Sequence, residues 1–294
     1  MHTYRNWFLA SRPWSFTMTA ISVSVGTTVA ALGGHFSWTI FMISIFAAVL
    51  LHAATNLIND YYDVKNGVDT VEACTAQYRP HPLVEGKLKA SQVAVAVSIM
   101  YSISALVGLF LILTRGWLLL PICLTGVFAS LMYTAPPLKY KYHALGEMSV
   151  FLMWGPLMVE GAYFVQSRTL SLDAFWISMP FGVLVALVLL ANNIRDISHD
   201  RSKGISTIAI HLGRRKGLYL YYSLILLAYL GIIVMTITGL LPPWSLIVLI
   251  SAPLAMRLLS TMLKQVPKDA DARTAQLDTI FGLLLVISLV LGGL

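Results

Sequence analysis

The sequence predicts an all-α, polytopic membrane protein with nine transmembrane helices, and three observations support this fold class. Hydrophobic residues make up 57% of the 294-residue chain and charged residues only 11%, whereas soluble domains carry about 25% charged residues. Nine apolar segments have the length that a bilayer requires, about 20 residues each. The basic residues alternate between these segments as membrane insertion demands. Such a chain lacks a charged shell, so its exterior must face lipid.

The nine segments follow one another closely, as expected for a single membrane-embedded domain spanning 1–294. They lie at 15–34, 38–58, 92–113, 116–134, 146–166, 175–193, 217–239, 242–260 and 276–293. Only a tight turn at Arg115 and Gly116 separates the third from the fourth. The first follows Arg5 and Arg12 and has the full length of a membrane anchor, so we do not interpret it as a cleaved signal.

The basic residues predict the orientation of the chain. If the N-terminus is cytoplasmic, only Arg115 and Arg168 of the 20 Lys and Arg residues lie outside. This asymmetry predicts a multi-pass protein of the inner (plasma) membrane with its N-terminus in the cytoplasm and its C-terminus outside. The net charge of +7 then reflects contact with anionic lipid, and we expect no nucleic-acid partner.

Carboxylates are scarce, and two cytoplasmic clusters of polar side chains share one pattern. The first, at the end of the second span, has spacing i, i+4, i+7, and the second, at the end of the sixth, has i, i+4, i+8. Each spacing places its members on one helix face. The two sets are Asn56, Asp60 and Asp63, and Asn192, Asp196 and Asp200. Because the two spans run in the same direction, we expect the clusters to face each other. The repeated pattern also suggests a pseudo-repeat of two parts, about 1–145 and 146–294.

The clusters have the chemistry of a divalent-metal site. Carboxylates at the membrane edge are costly unless they are paired, hydrated or metal-bound, and neighbouring ones repel each other. Mg²⁺ prefers oxygen ligands and is often held by carboxylates together with substrate phosphates. A single acid could be a solvated loop residue, but two matching clusters favour Mg²⁺ and a diphosphate. We therefore predict that all six side chains bind metal. The predicted catalytic residues are Asp60, Asp63, Asp196 and Asp200.

Basic, aromatic and acidic residues nearby extend the candidate site. Basic side chains in cytoplasmic loops could bind the diphosphate, or could serve only to orient the chain. Those predicted to bind it are Arg79, Lys139, Arg195 and Lys203, and Lys141 lies in the same loops. Aromatic rings could stabilise a carbocation or simply pack, and ionisable groups within spans are functional candidates. The predicted acceptor or prenyl pocket comprises Tyr133, Trp154, Glu160 and Tyr163, with Glu147 as a further carboxyl candidate.

Longer stretches resemble the UbiA superfamily of intramembrane prenyltransferases. Asn56-Leu-Ile-Asn-Asp-Tyr-Tyr-Asp63 and Asn192-Asn-Ile-Arg-Asp-Ile-Ser-His-Asp200 resemble its two Asp-rich motifs. The resemblance continues in Ser11-Arg-Pro13, Tyr133-Thr-Ala-Pro-Pro-Leu138, Leu145-Gly-Glu147 and Trp154-Gly-Pro156. The form of both motifs, with Gly155-Pro-Leu-Met-Val-Glu-Gly-Ala-Tyr163, is most similar to the menaquinone branch, whose acceptor is 1,4-dihydroxy-2-naphthoate.

The resemblance implies a fold, a cofactor and a reaction. The fold is a bundle of nine helices around a central cavity that opens to the cytoplasm, with a gap to the lipid bilayer for the prenyl tail. The reaction is Mg²⁺-dependent transfer of a polyprenyl group from a polyprenyl diphosphate to an aromatic acceptor, in menaquinone biosynthesis. The two Asp-rich motifs would bind the metal and the diphosphate.

Two departures from the family pattern leave the acceptor open. The family often has Gly-Lys-x-Thr after the second motif, but this chain has Lys203-Gly-Ile-Ser-Thr207. After the first motif it tends to have Arg-Pro-Leu-x-x-Gly, but here Arg79-Pro-His-Pro-Leu-Val-Glu-Gly86 has two extra residues. Alternatives are a UbiA-type enzyme with another acceptor, a prenyl diphosphate cyclase, or a cation-coupled transporter. Transporters place such acids near the bilayer midplane, whereas these lie at the ends of spans, which favours an enzyme.

Overall fold

The structure is a computed structural model that describes residues 2–293, except for the side chains at positions 2, 3, 74 and 75. The described residues form helices joined by short loops, with one isolated β-bridge between His143 and Ser206. The α-helices are α1 (His2–Ala10), α2 (Phe16–Leu32), α3 (Trp38–Lys65), α4 (Cys74–Tyr78), α5 (Ala90–Arg115), α6 (Leu119–Met132), α7 (Gly146–Leu152), α8 (Met158–Ser167), α9 (Leu172–Ser202), α10 (Ile208–Ile237), α11 (Ala252–Lys264) and α12 (Ala270–Gly292).

Eight helical segments of the described chain are long and apolar enough to cross a membrane, against nine in the sequence prediction. The segment predicted at 116–134 forms α6, which has only 14 residues. At 1.5 Å per residue this helix is about 21 Å long, shorter than the hydrocarbon core of about 30 Å. The segment predicted at 242–260 begins as a 3₁₀-helix, Pro243–Ser251, before α11 continues it. The structure therefore confirms the helical class with eight candidate spans.

The two helices that carry the acidic clusters are unusually long. α3 has 28 residues and α9 has 31, which corresponds to about 42 and 46 Å. Their N-termini are fixed by Ser37 and Ser171, whose hydroxyl groups accept the backbone N–H of the residue three positions later. Both helices end at the same end of the bundle, beyond the length that the membrane core requires. We call this the acidic end, because Asp63 and Asp200 lie there.

The core of the bundle forms around α9. Phe181, Leu184 and Ile194 of this helix are completely buried, and α9 packs against α10, α12 and α7. α2 lies close to α8 because Gly26 has no side chain: a Cβ there would lie 2.1 Å from the Val159 carbonyl oxygen. Small residues allow such close approach between helices in membranes. Large apolar side chains cover much of the outer surface, as lipid contact requires.

The fifth predicted span is broken in its middle. Met153–Leu157 forms a wide, π-type turn between α7 and α8, and Gly155 has ψ −106° within it. Pro156 has no backbone N–H and cannot continue a regular helix. The Trp154 carbonyl oxygen instead accepts a hydrogen bond from the Ser22 hydroxyl, at 2.6 Å. Gly182 of α9 faces the break, since a Cβ there would lie 2.8 Å from the Gly155 Cα. The break turns the Trp154 side chain towards the interior.

Asp278, within α12, is fully buried, and neither carboxyl oxygen has a hydrogen-bond partner among the described residues. An unsatisfied buried polar group destabilises a fold by about 1–3 kcal/mol. We expect Asp278→Leu to raise the free energy of unfolding by about this amount, seen as a higher thermal midpoint in detergent. Glu72→Gln, at an exposed site in a loop, should leave the midpoint unchanged. A lower midpoint for Asp278→Leu would show that Asp278 has a stabilising partner.

Candidate active site

The two acidic clusters border one cavity. Its volume is about 860 Å³, and it reaches from the acidic end into the bundle. Such a volume is within the range of small-molecule sites, about 300–1,000 Å³. The cluster residues that border it are Asn56, Asp63, Asn192, Asp196 and Asp200. A single ligand at this position can therefore contact α3 and α9 together.

The carboxylates of the first cluster each have a basic partner. Arg12, just before α2, forms an ion pair with Asp60. Asp60 is not among the described residues that border the cavity. Lys141 Nζ lies 2.7 Å from Asp63 Oδ2, and the Tyr142 hydroxyl donates to Asp63 Oδ1. Burial opposes the charge of Lys141, but the neighbouring acidic groups, with Asp63 first among them, together outweigh burial and raise the pKa of Lys141. Of the two acids, Asp63 is thus the one placed for ligand contact.

Asn56 and Arg79 complete this wall of the cavity. Asn56 Nδ2 donates to the Ser11 carbonyl oxygen at 3.0 Å and to the Ser15 hydroxyl at 3.1 Å. Because both contacts use the amide nitrogen, the amide oxygen remains available to a ligand. The Arg79 guanidinium lies 5.8 Å from the ring centroid of Trp14, and burial lowers the pKa of Arg79. An anion in the cavity would favour the charged form of Arg79.

A loop between α4 and α5 supports the first cluster through residues that the sequence analysis did not select. His81 is 2% exposed; its Nδ1 accepts the Val84 N–H, so its Nε2 donates to Asp69 Oδ2 at 3.0 Å. Burial disfavours the Asp69 charge, but the hydrogen bond from His81 and the charge of Lys141 outweigh it, and the pKa of Asp69 falls to about 2. The longer loop was visible in the sequence, but nothing there indicated that His81 points inward.

The second cluster is held by a network around Arg195. The guanidinium lies 2.7 Å from Asp196 Oδ2, 2.8 Å from Asp271 Oδ1 and 2.7 Å from Asn192 Oδ1. The Tyr78 hydroxyl donates to Asp271 at 2.5 Å. Arg195 is 9% exposed and is not among the described residues that border the cavity. It therefore orients Asp196, whereas the sequence predicted direct contact with the diphosphate.

The other predicted basic residues lie at different depths. Lys139 reaches only Asn66, at 3.4 Å in an exposed position, and Lys203 is exposed at the end of α9. Neither is among the described residues that border the cavity, whereas Lys141 and Arg79 are. Of the four basic residues predicted to bind the diphosphate, only Arg79 borders the cavity. Lys141 occupies the position that the sequence analysis expected for Lys139.

Two of the four predicted pocket residues border the cavity. Tyr133 and Trp154 do so, and Trp154 Nε1 donates to the Thr19 hydroxyl at 3.1 Å. Glu160 and Tyr163 are not among the described lining residues. Glu160 instead accepts the Ser171 backbone N–H at 3.2 Å, at the end of the bundle away from the acids. We therefore withdraw Glu160 and Tyr163 from the pocket, because their positions on α8 turn them elsewhere.

The deeper part of the cavity is an apolar chamber between α3, α5, α6 and α8. Small residues widen it, among them Ala47, Ala105 and Gly126. Leu109 and Leu124 border the chamber and are also about half exposed on the outer surface of the bundle. The chamber therefore approaches the lipid-facing surface between α5 and α6. Its chemistry suits a hydrocarbon chain, and that of the acidic end suits a charged group.

The acidic end has the donor set of a hard divalent cation. Asp63, Asp196 and Asp200 supply carboxylate oxygens, and Asn56 supplies an amide oxygen. Asp200 is 9% exposed, and no hydrogen bond or ion pair reaches its carboxyl group from the described residues. A buried carboxylate without a partner is costly unless it is protonated or a cation binds to it, so a bound cation would stabilise Asp200 in its charged form. Oxygen donors with space for water and phosphate match the coordination of Mg²⁺.

Comparisons with known proteins agree with this arrangement. The UbiA prenyltransferase family matches residues 19–286. A 1,4-dihydroxy-2-naphthoate octaprenyltransferase of Bacillus subtilis (strain 168) is 30% identical over 285 residues, covering 96% of this chain and 91% of the relative. UbiA prenyltransferase domain-containing protein 1 of Dictyostelium discoideum is 31% identical over 292 residues, with 96% and 86% covered.

Solved structures share the fold. An apo UbiA homologue from Aeropyrum pernix K1 has a TM-score of 0.71 and 19% identity, covering 92% of this chain and 97% of that one. A UbiA homologue from Archaeoglobus fulgidus bound to GPP and Mg²⁺ has a TM-score of 0.65 and 13% identity, covering 96% and 99%. The family match spans most of the sequence, from α2 to α12, and includes both acidic clusters. The chain therefore belongs to the UbiA prenyltransferase family and is a membrane-embedded prenyltransferase.

Proposed function

We propose that the protein transfers a polyprenyl group from its diphosphate to an aromatic acceptor, 1,4-dihydroxy-2-naphthoate, in menaquinone biosynthesis. The observation that carries the proposal is one cavity with carboxylates from α3 and α9 at one end and an apolar chamber behind them. This division matches a prenyl diphosphate, which has a charged head and a hydrocarbon tail. The acceptor follows from the Bacillus subtilis relative, whose name specifies that substrate.

In this proposal the acidic end binds the diphosphate. Asn56, Asp63, Asp196 and Asp200 would hold Mg²⁺, which neutralises the negative charge that develops on the departing diphosphate. Lys141 and Arg79 add positive charge from the loops and contact the diphosphate oxygens. Asp63 keeps Lys141 in place, at 2.7 Å. The leaving group would thus be stabilised by the metal ion on one side and by the basic loop residues on the other.

The apolar chamber controls the fate of the prenyl group. The bond between prenyl C1 and the diphosphate oxygen breaks, and the electron pair leaves with the diphosphate. Trp154 and Tyr133 border the cavity, and their ring faces would stabilise the charge of the allylic cation. The electron-rich acceptor carbon that bears the carboxylate would then form the new C–C bond, and loss of that carboxylate as CO₂ would restore the aromatic ring. The apolar walls keep water away from the cation.

The orientation of the chain is part of this proposal. We place the N-terminus and the acidic end in the cytoplasm, the C-terminus outside and the chain in the inner (plasma) membrane. The distribution of Lys and Arg supports this orientation. In this orientation the short helix α6, together with the turn before it, forms the ninth crossing of the membrane. Residues of α6 also line the apolar chamber.

Product analysis tests the acceptor. Purified protein in detergent receives Mg²⁺ and geranyl diphosphate, with dihydroxynaphthoate, with 4-hydroxybenzoate or with no acceptor. We expect pyrophosphate release and a prenylated, decarboxylated naphthol only with dihydroxynaphthoate. Equal release without an acceptor would indicate a cyclase, and a prenylated benzoate would indicate another acceptor. Ion uptake into vesicles without pyrophosphate release would indicate a transporter.

A further inference from the structure

Glu147 is a buried carboxyl group next to the second acidic cluster. It lies in the first turn of α7 and is 7% exposed. Its Oε1 accepts a hydrogen bond from Asn193 Nδ2 at 2.9 Å, and its Oε2 has no partner among the described residues. An apolar side chain would avoid this unsatisfied oxygen, so a role in packing alone does not account for Glu147.

The contact with Glu147 determines which way the Asn193 amide faces. The carboxyl oxygen Oε1 accepts a hydrogen bond, so the NH₂ group of Asn193 must turn towards α7 and its carbonyl oxygen must turn away. Asn193 borders the cavity, and no hydrogen bond within the described chain reaches its Oδ1. The neighbouring Asn192 differs, because its Oδ1 already accepts from Arg195 at 2.7 Å.

Asn193 also shares a helix face with the acids. At 100° per residue, it lies about 20° from Asp200 and about 60° from Asp196 around α9. All three border the cavity. The Asn193 oxygen therefore adds an acceptor to a surface that already carries two carboxylates. A diphosphate oxygen would be repelled there, whereas a cation or its bound water would be attracted.

We propose that Asn193 Oδ1 is a ligand of the divalent cation in the second cluster, directly or through a bound water, and that Glu147 is the positioning residue that orients it. The inference rests on the proposed binding of a metal and a diphosphate at this site. Asn193 thereby joins the predicted set of ligands. Glu147, which the sequence analysis considered without assigning a role, acts from behind the metal site.

A metal-binding measurement without catalysis tests the inference. Mg²⁺ is titrated into purified protein saturated with geranyl S-thiolodiphosphate, an analogue that is not transferred, and thermal stabilisation is followed. Loss of a residue that orients a metal ligand typically weakens metal binding about 10- to 100-fold. We expect Glu147→Leu and Asn193→Ala each to raise the half-saturating Mg²⁺ concentration by at least about tenfold. Glu147→Gln should keep the half-saturating Mg²⁺ concentration of the wild-type protein, because the amide oxygen of the glutamine can still accept the hydrogen bond from Asn193.

The controls separate this role from a structural one. Gln166→Leu removes a buried polar side chain that contacts Ser37 at 2.8 Å, far from the acids, and should leave the Mg²⁺ requirement unchanged. The double variant Glu147→Leu/Asn193→Ala should require no more Mg²⁺ than Asn193→Ala alone. A wild-type Mg²⁺ requirement in Glu147→Leu would overturn the inference, even if that variant is less stable. Absence of any Mg²⁺ response in the wild-type protein would instead overturn the proposed function itself.

Discussion

Asp200→Asn is expected to abolish turnover without weakening the fold. Asp200 borders the cavity and is 9% exposed, yet none of the described residues pairs with its carboxylate. Its removal therefore leaves no protein group without a partner. In the proposal Asp200 holds the cation that stabilises the departing diphosphate, and the loss of one group that stabilises a developing anion typically lowers the rate about 10²- to 10³-fold. We expect kcat/KM for the prenyl diphosphate to fall by at least about a hundredfold, measured as pyrophosphate release with acceptor present.

The thermal midpoint distinguishes this role from a structural one. Without ligands, Asp200→Asn should have the midpoint of the wild-type protein or a slightly higher one, because an unpartnered buried charge is lost. Asp196→Asn is the informative comparison: it should lose activity and stability together, because Arg195 would lose one of its two carboxylate partners, at 2.7 Å. Wild-type activity in Asp200→Asn would remove Asp200 from the proposed metal ligands.

Lys141→Met is expected to cause the second-largest loss. Lys141 borders the cavity and contacts Asp63 at 2.7 Å and Asn59 at 3.2 Å. A hydrogen bond to a charged group contributes about 1.5–3 kcal/mol, so its loss corresponds to about ten- to a hundredfold in kcat/KM. The effect should fall mainly on the KM for the prenyl diphosphate. The variant should also be less stable, since Asp63 is then buried without its cation, and added Mg²⁺ should restore part of the stability.

The adjacent lysine provides the comparison. Lys139→Met should lose at least about tenfold less activity than Lys141→Met, because Lys139 reaches only the exposed Asn66. Lys87→Met removes a half-exposed lysine that pairs with Glu85, and serves as the control for loss of one surface charge. Equal losses in Lys139→Met and Lys141→Met would show that the loop binds the diphosphate through its overall charge.

Helix periodicity accounts for what could be predicted about the site. Because 3.6 residues make one turn, the spacing of Asp196 and Asp200 places both on one face of α9 without any knowledge of the fold. The direction of the spans then places both clusters at the same end of the bundle. Five of the six predicted metal ligands border the cavity, and Asp60 is the one of the six that does not.

The loops were less predictable, because their side-chain directions depend on contacts distant in sequence. Lys139 and Lys141 differ in position only because the loop turns at Lys139, where φ is +45°, and then enters a short 3₁₀-helix. Arg195 has the sequence context of a ligand-binding residue, but its guanidinium is held by Asp196 and by Asp271, 76 positions later, and it is not among the described residues that border the cavity. Glu160 lies towards the opposite end of the bundle, where it accepts the Ser171 backbone N–H. The sequence contains no local signal for the contact between Arg195 and Asp271.

The most direct measurement is the position of the metal ions in an experimental structure. The protein is prepared with Mn²⁺ and geranyl S-thiolodiphosphate, and manganese is located by its anomalous scattering. We expect manganese between Asp63 of α3 and the Asp196–Asp200 pair of α9, with the diphosphate beside Lys141 and the geranyl chain in the apolar chamber. Manganese and diphosphate at any other place, with these carboxylates uncoordinated, would contradict the account.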